Sequence, residues 1–278
     1  MSLAFGVLLL PQVNEEMALL LCALATAAIG CLLIFKLLPA LANRNAWFCI
    51  LWHETIVLNL WDRLTGSTQP ERVLRHVLGT ARRGDPQSVV DAIDRFCNTF
   101  EWAMNVGDEK GRILDQVVSE VNPGVALELG TYCGYSTVRI ARLLKPGARL
   151  YTMESEPHFA DIAQQVISFA GLQDQVEVLR GLASELIPEL RKKFDVDKLD
   201  FVFIDHCKES YRPDIEQLES CGLLRAGTVL LADNVTFPGA PEYLDYVRHS
   251  PRYRSQYYGS HLEYTQVKDG LEKSVFLG

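Results

Sequence analysis

The run "FVFIDHCKESY", residues 201–211, sets Asp205, His206, Cys207 and Lys208 side by side. The first three are common metal-ligand types, and the fourth is a candidate base. Consecutive side chains leaving a strand point in different directions, so a D-H-C run does not easily converge on one ion. Asp205 ends one β-rich run, and Asp233-Asn234 ends the next, in "TVLLADN". Three oxygen donors on neighbouring strand tips, completed by water and substrate, suit a hard octahedral ion such as Mg²⁺. Asp and Asn also favour helix caps and turns, so "ADN" taken alone fits either role.

A second constellation lies upstream. The run "LELGTYCGYS" carries Glu128-x-Gly130-x-x-x-Gly134 across a strand end and a helix start. Glycines there let the backbone approach a ligand, and the helix N-terminus adds a favourable dipole. The spacing differs from the dinucleotide G-x-G-x-x-G and is similar to the loop of S-adenosylmethionine-dependent methyltransferases. Glu154 ends the following β-rich run, where an acid can bind both ribose hydroxyls of a nucleoside. The plain alternative is a tight turn followed by a solvent-facing acid.

These residues need a scaffold that brings strand tips together. Strand signals recur at 125–129, 149–154, 176–180, 199–205 and 228–233, separated by segments of helical period such as "YSTVRIARLLK" and "PHFADIAQQVISFAG". That alternation predicts a parallel α/β sheet covered on both faces. After Asp233, "HLEYTQV" and "LEKSVFLG" read as an antiparallel terminal pair. In an open parallel sheet, ligands sit beyond the carboxyl ends of the strands, where Asp205 and Asp233 lie.

Composition narrows the function. The 278 residues carry 27 Lys and Arg against 35 Asp and Glu, a net charge of −8. That balance argues against a general nucleic-acid or anionic-membrane binder. Seven scattered cysteines without a CxxC pair fit a reducing compartment better than a zinc ribbon or a disulfide framework. "MALLLCALATAAIGCLLIF", residues 17–35, is uncharged for nineteen residues and predicts a membrane anchor, with a helix over about 17–38. Trp47, Phe48, Trp52 and Trp61 beyond it suit an interface, and Lys36 and Arg44 place the following residues in the cytoplasm. A cleaved signal ending near Ala40-Leu41-Ala42 and a buried soluble helix are the alternatives. The expected organisation is an N-terminal segment 1–42, a connector 43–68 and a catalytic domain 69–278.

Together "EWAMNVGDEKG", "LELGTYCGYS", "FIDHCKESY", "CGLLRAGTVLLADNV" and "PGAP" resemble catechol O-methyltransferase over about residues 70–278. The anchor and Cys207 point within that family to its transmembrane O-methyltransferase (leucine-rich-linked) branch, associated with hearing. The resemblance implies a Rossmann-like S-adenosylmethionine-dependent methyltransferase fold, with a mostly parallel sheet, antiparallel C-terminal strands and an N-terminal transmembrane helix. It implies Mg²⁺ on Asp205, Asp233 and Asn234, chelating a catecholamine-like catechol whose hydroxyl proton Lys208 takes as general base. Glu263 would hold the second hydroxyl, while Trp102 and Pro238 would wall the ring, with Lys208 and Asn234 also touching substrate. Met104, Val106, Glu128, Gly130, Tyr132, Ser136, Glu154, Ser184, Asp205 and His206 would contact the cofactor.

Two departures fall on the adenine side. The family has tryptophan where Cys207 stands, and a Ser-Gln pair where Ala183-Ser184 stands. Both imply competent chemistry with weakened cofactor affinity. A weakly catalytic protein that binds or traffics a membrane partner is therefore the competing expectation. Ala23, Ala27 and Gly30 offer such a partner a helix-packing stripe, or are neutral filler. The resemblance also implies a single-pass membrane protein, with the endoplasmic reticulum as one candidate site.

Overall fold

The computed structural model describes residues 15–278. The five β-rich runs form β1 (Val125–Leu129), β2 (Arg149–Glu154), β3 (Val176–Arg180), β4 (Phe201–Ile204) and β5 (Val229–Ala232). They lie parallel in the order β3-β2-β1-β4-β5. β7 (Lys268–Phe276) pairs antiparallel with β5, and β6 (Tyr253–His261) pairs antiparallel with β7 at the edge. The expected α/β class, mostly parallel with antiparallel C-terminal strands, is the observed one. β4 and β5 are buried at every position, as strands covered on both faces must be. Strand order reverses between β1 and β4, so the loops after those two strands flank a crevice.

Helices α5 (Gln69–Thr80), α6 (Pro86–Thr99) and α7 (Asp108–Val121) precede the sheet. α6 starts where Asp85 accepts a bond from the Ser88 amide, and Pro86 needs no intrahelical donor there. α8 (Tyr135–Ala141) follows β1, and α9 (Pro157–Phe169) follows β2.

Two expectations need correction. "HLEYTQV" is not a strand. β6 ends at His261, and Leu262–Val267 form the turn, closed by the Leu262 amide donating to Val267 O at 2.8 Å. The turn releases Glu263 from the sheet and points it inward. The expected transmembrane helix over about 17–38 is also not found: among the described residues no helix is long and apolar enough to cross a membrane. The apolar run is divided among α1 (Glu15–Leu32), a π turn Leu33–Leu37 and α2 (Leu38–Ala42). Pro39 supplies no backbone donor, and the register change precedes it. The single-pass and cytoplasmic assignments rested on that span and lose its support. The first fourteen residues of the 1–42 segment lie outside the described residues.

The connector does not stand apart from the catalytic fold. α3 (Ala46–Ile50), a π turn Leu51–Val57 and α4 (Leu58–Thr65) run back over the sheet end. Cys49 is fully buried in a cluster with Trp102, Phe237, Leu262 and Val267. Trp47 meets Phe237 edge-on at 5.3 Å, and His53 lies against Trp102 at 5.2 Å between centroids.

Candidate active site

Two adjoining cavities open at the carboxyl ends of the parallel strands. One, of 260 Å³, is lined by residues that include Met104, Gly130, Tyr132, Ser136, Asp205, Lys208, Asn234 and Pro238. The other, of 310 Å³, is lined by Glu154, Ser155, Phe159, Ala183, Ser184 and Asp214, among others. Gly130, Tyr132, Asp205, His206 and Cys207 border both. An elongated ligand with two dissimilar ends fits this shape. A roomier groove of 440 Å³, between Trp61, His76, Phe96 and Phe100, lies away from the strand tips.

The glycine loop is held from β2. Glu154 accepts the Tyr132 amide at 2.8 Å and the Thr131 amide at 3.3 Å, while its other oxygen accepts the Glu156 amide. A carboxylate read from sequence only as a ligand group therefore also fixes the loop. Tyr132 takes a positive φ of 49°, and its hydroxyl donates to Gln69 Oε1 at 2.8 Å. Gly130 has φ 95° and faces the backbone of Asp205 so closely that a Cβ would lie 2.8 Å from the Asp205 carbonyl carbon. Glu128 does not line either cavity. It is buried under the loop, accepting from Thr137 and Thr152 hydroxyls at 2.5 and 2.6 Å, and burial raises its carboxyl to about 7. Val106 is likewise buried, bordering a separate polar recess of 230 Å³.

The run 205–208 separates as strand geometry demands. His206 turns to Asp214, 2.7 Å away, and stacks on Tyr211. Cys207 is exposed, its thiol donating to Glu209. Lys208 Nζ donates to Asp205 Oδ1 at 3.1 Å, Asn234 Oδ1 at 3.2 Å and the Tyr211 hydroxyl at 2.5 Å. Asn234 sits in the left-handed region, φ 53°, a conformation Asn tolerates better than most residues. The Phe237–Pro238 peptide that follows is cis.

Behind this front lies a group that sequence reasoning missed. Lys110, on the first turn of α7, is fully buried and meets three carboxylates: Asp233 at 2.8 Å, Glu263 at 2.6 Å and Asp269 at 2.8 Å. Burial disfavours its ammonium, but the three carboxylates outweigh it and hold Lys110 well above the usual lysine range. Burial pushes the Glu263 carboxyl up, against the pull of Lys110. Asn234 Nδ2 donates to both Glu263 and Asp269, and the other Asp269 oxygen accepts the Thr236 and Phe237 amides. A signal was present: Lys110, Gly111, Leu114, Val117 and Val118 form the buried stripe of α7, and a charge on an apolar stripe implies a buried partner.

The structure thus brings Met104, Gly130, Tyr132, Ser136, Asp205, Lys208, Asn234 and Pro238 to one cavity, and Glu154, Ser184 and His206 to the second or the shared border. Asp233, Glu263 and Trp102 stand behind it. Trp102 donates its indole N–H to Glu263 O at 2.6 Å and is covered by the connector.

Comparison with known proteins places this arrangement. An O-methyltransferase family model matches residues 87–249. The chain is 56% identical to catechol O-methyltransferase B of Danio rerio, over 94% of this chain and 100% of that protein. It is 38% identical to the transmembrane O-methyltransferase of Propithecus coquereli, over 86% of this chain and 88% of that one. Identity is thus greater to the catechol enzyme than to the transmembrane branch, the reverse of the order that Cys207 and the anchor implied. Among solved structures, the O-methyltransferase from Bacillus cereus in complex with SAH superposes with a TM-score of 0.59, at 26% identity, over 81% of this chain and 98% of that one. The sheet, the strand-tip site and these matches agree: the chain belongs to the O-methyltransferase family, with catechol O-methyltransferases among its relatives.

Proposed function

We propose that this protein transfers a methyl group from S-adenosylmethionine to a hydroxyl of a catechol, with Mg²⁺ at the strand tips. The observation that carries the reading is the convergence of Lys208, Asp205 and Asn234 on one cavity that continues past Gly130 towards Glu154. Relatives named for catechol supply the substrate class.

The residues fit a divalent cation. Among the described residues no group of three His, Cys, Asp or Glu side chains is arranged around a metal position. The expected set needs only two acids and an amide, all hard oxygen donors. Lys208 already places one positive charge between Asp205 and Asn234. Asp233 Oδ2 is buried without a hydrogen-bond partner among the described residues. Among the described residues, Asp205, Asp233, Glu263 and Asp269, when ionised, pair only with Lys110 and Lys208, a deficit of two positive charges.

When bound, Mg²⁺ would supply Lewis-acid chemistry that eases loss of a catechol hydroxyl proton, and the cofactor would supply the electrophilic methyl. Asp205, Asp233 and Asn234 would hold the ion. Lys208, as the free amine once its own proton has passed to solvent, would accept the hydroxyl proton at Nζ, with Tyr211, whose hydroxyl donates to the Asp233 carbonyl at 3.1 Å, keeping Lys208 aimed at the cavity. Met104 and Pro238 would exclude water around the acceptor. Alignment of the two reactants across Gly130 and Tyr132 would provide much of the rate.

The test is transfer of labelled methyl from S-adenosylmethionine to a simple catechol, with and without Mg²⁺. Transfer that disappears on chelation and returns with Mg²⁺ supports the reading; transfer unaffected by chelation removes the metal, and no transfer removes the reaction.

Cys207 borders both cavities but offers no aromatic face. Cys207→Trp is therefore expected to tighten cofactor binding by about 5- to 150-fold, the equivalent of a ~1–3 kcal/mol base–aromatic stack. Calorimetry checks this, and an unchanged Kd contradicts it.

A further inference from the structure

We propose that Lys110 makes the strand-tip site selective for Mg²⁺ over Ca²⁺ by occupying one oxygen of Asp233 and leaving the other as a single metal donor. The inference rests on the metal reading above and adds to it a positioning residue outside the ligand set.

Asp233 Oδ1 faces Lys110 Nζ at 2.8 Å and also accepts the Asn234 amide at 2.7 Å. Its Oδ2 is buried and has no hydrogen-bond partner among the described residues. Glu263 is split in the same way: Oε1 takes Lys110 at 2.6 Å and Asn234 Nδ2 at 3.1 Å, and Oε2 is buried without a partner. Each carboxylate has one oxygen committed to the protein and one left over.

Lys110 cannot easily release its share. Its side chain is fully buried, and Asp269 holds it from a third direction at 2.8 Å. Asp269 is itself anchored by the Thr236 and Phe237 amides at 3.2 and 3.0 Å. An ammonium fixed between three carboxylates in the interior has no alternative position that keeps its charge compensated.

Consequently Asp233 can approach a cation through one oxygen only. Mg²⁺ requires near-ideal octahedral geometry with short single contacts. Ca²⁺ prefers six to eight ligands and often takes a carboxylate in bidentate fashion. A carboxylate with one oxygen tied back suits the first ion and penalises the second. Without Lys110, Oδ1 would keep only the neutral Asn234 amide as donor and regain capacity for a second metal contact, relaxing the choice.

The measurement is competition calorimetry of the full-length, metal-stripped protein with MgCl₂ and CaCl₂, read as the ratio of the two dissociation constants. Lys110→Met keeps most of the volume and removes the charge. Because it leaves buried carboxylates uncompensated and so can compromise folding, the double variant Lys110→Met/Asp269→Asn, which removes one charge of each sign, is measured beside it. In either folded variant the ratio is expected to move about tenfold or more towards Ca²⁺, the gain from a restored bidentate contact. Asp269→Asn alone, which leaves Lys110 on Asp233, is expected to keep the wild-type ratio. A ratio that stays within about twofold in both Lys110 variants overturns the proposal, as does an equal shift in Asp269→Asn. If the wild-type protein binds neither ion, the metal reading itself falls, an outcome distinct from an unchanged ratio.

Discussion

Lys208→Met is expected to lower kcat for methyl transfer to a catechol by about 10²–10⁴-fold, the usual worth of a positioned general base. Binding of S-adenosylmethionine should barely change, since Lys208 meets the cofactor's cavity only at its border with Asp205 and Asn234. Lysine here could contribute charge rather than proton transfer, and Lys208→Arg separates the two. Arginine keeps the positive charge beside Asp205 but cannot lose its proton in a protein. It should therefore be as slow as the methionine variant. An arginine variant with near wild-type kcat would show that the side chain serves as a counter-ion only. Single-turnover rates are the measurement, because they report the chemical step apart from product release.

Gly130→Ala is expected to abolish measurable cofactor binding and lower thermal stability. The added Cβ would stand 2.8 Å from the Asp205 carbonyl carbon and 3.1 Å from the His206 nitrogen, both backbone atoms that cannot swing aside. Moving them separates the tips of β1 and β4, which carry the glycine loop and Asp205. The positive φ of 95° adds strain of about 1–2 kcal/mol for any side chain there. Gly147→Ala isolates that smaller cost: its φ is 87°, and among the described residues no atom beyond its chain neighbours lies within 4 Å of the new Cβ. It should lose about 1–2 kcal/mol of stability with cofactor affinity intact. If the two variants behave alike in calorimetry, the close approach at Gly130 is not what shapes the loop.

Much of this arrangement was legible in the sequence because it is periodic or punctuated. β1, β2 and β3 have the expected limits; β4 and β5 are one or two residues shorter at each end. Asp205, Asp233 and Asn234 follow strand ends, so topology alone brings them together. Lys110 and Asp269 carry no such mark. The two are 159 residues apart in the chain, and the antiparallel return of β7 beside β5 joins them. The apolar run misled for a related reason. Hydropathy counts residues, whereas crossing a membrane depends on unbroken helical length, and the π turn Leu33–Leu37 interrupts the α-helix before the run ends. Neither did the aromatic spacing of the connector reveal that Trp47 and His53 would meet Phe237 and Trp102.

The origin of Lys110's partners also constrains how the protein comes into being. The lysine belongs to an early helix, whereas Glu263 and Asp269 belong to the β6–β7 hairpin, the last element in chain order. During synthesis the ammonium emerges some 150 residues before two of its three counter-charges. Until the hairpin arrives, closing the interior around it would trap an ammonium with Asp233 alone, a costly state. Docking of the hairpin is thus expected to complete the charge compensation of Lys110. Its register is pinned by Gly270, where any side chain would collide with Tyr257 and the Tyr258 backbone. A nascent chain that lacks the hairpin is expected to keep its sheet end loose and accessible to chaperones, and the strand-tip pocket to become rigid only as the final strands settle.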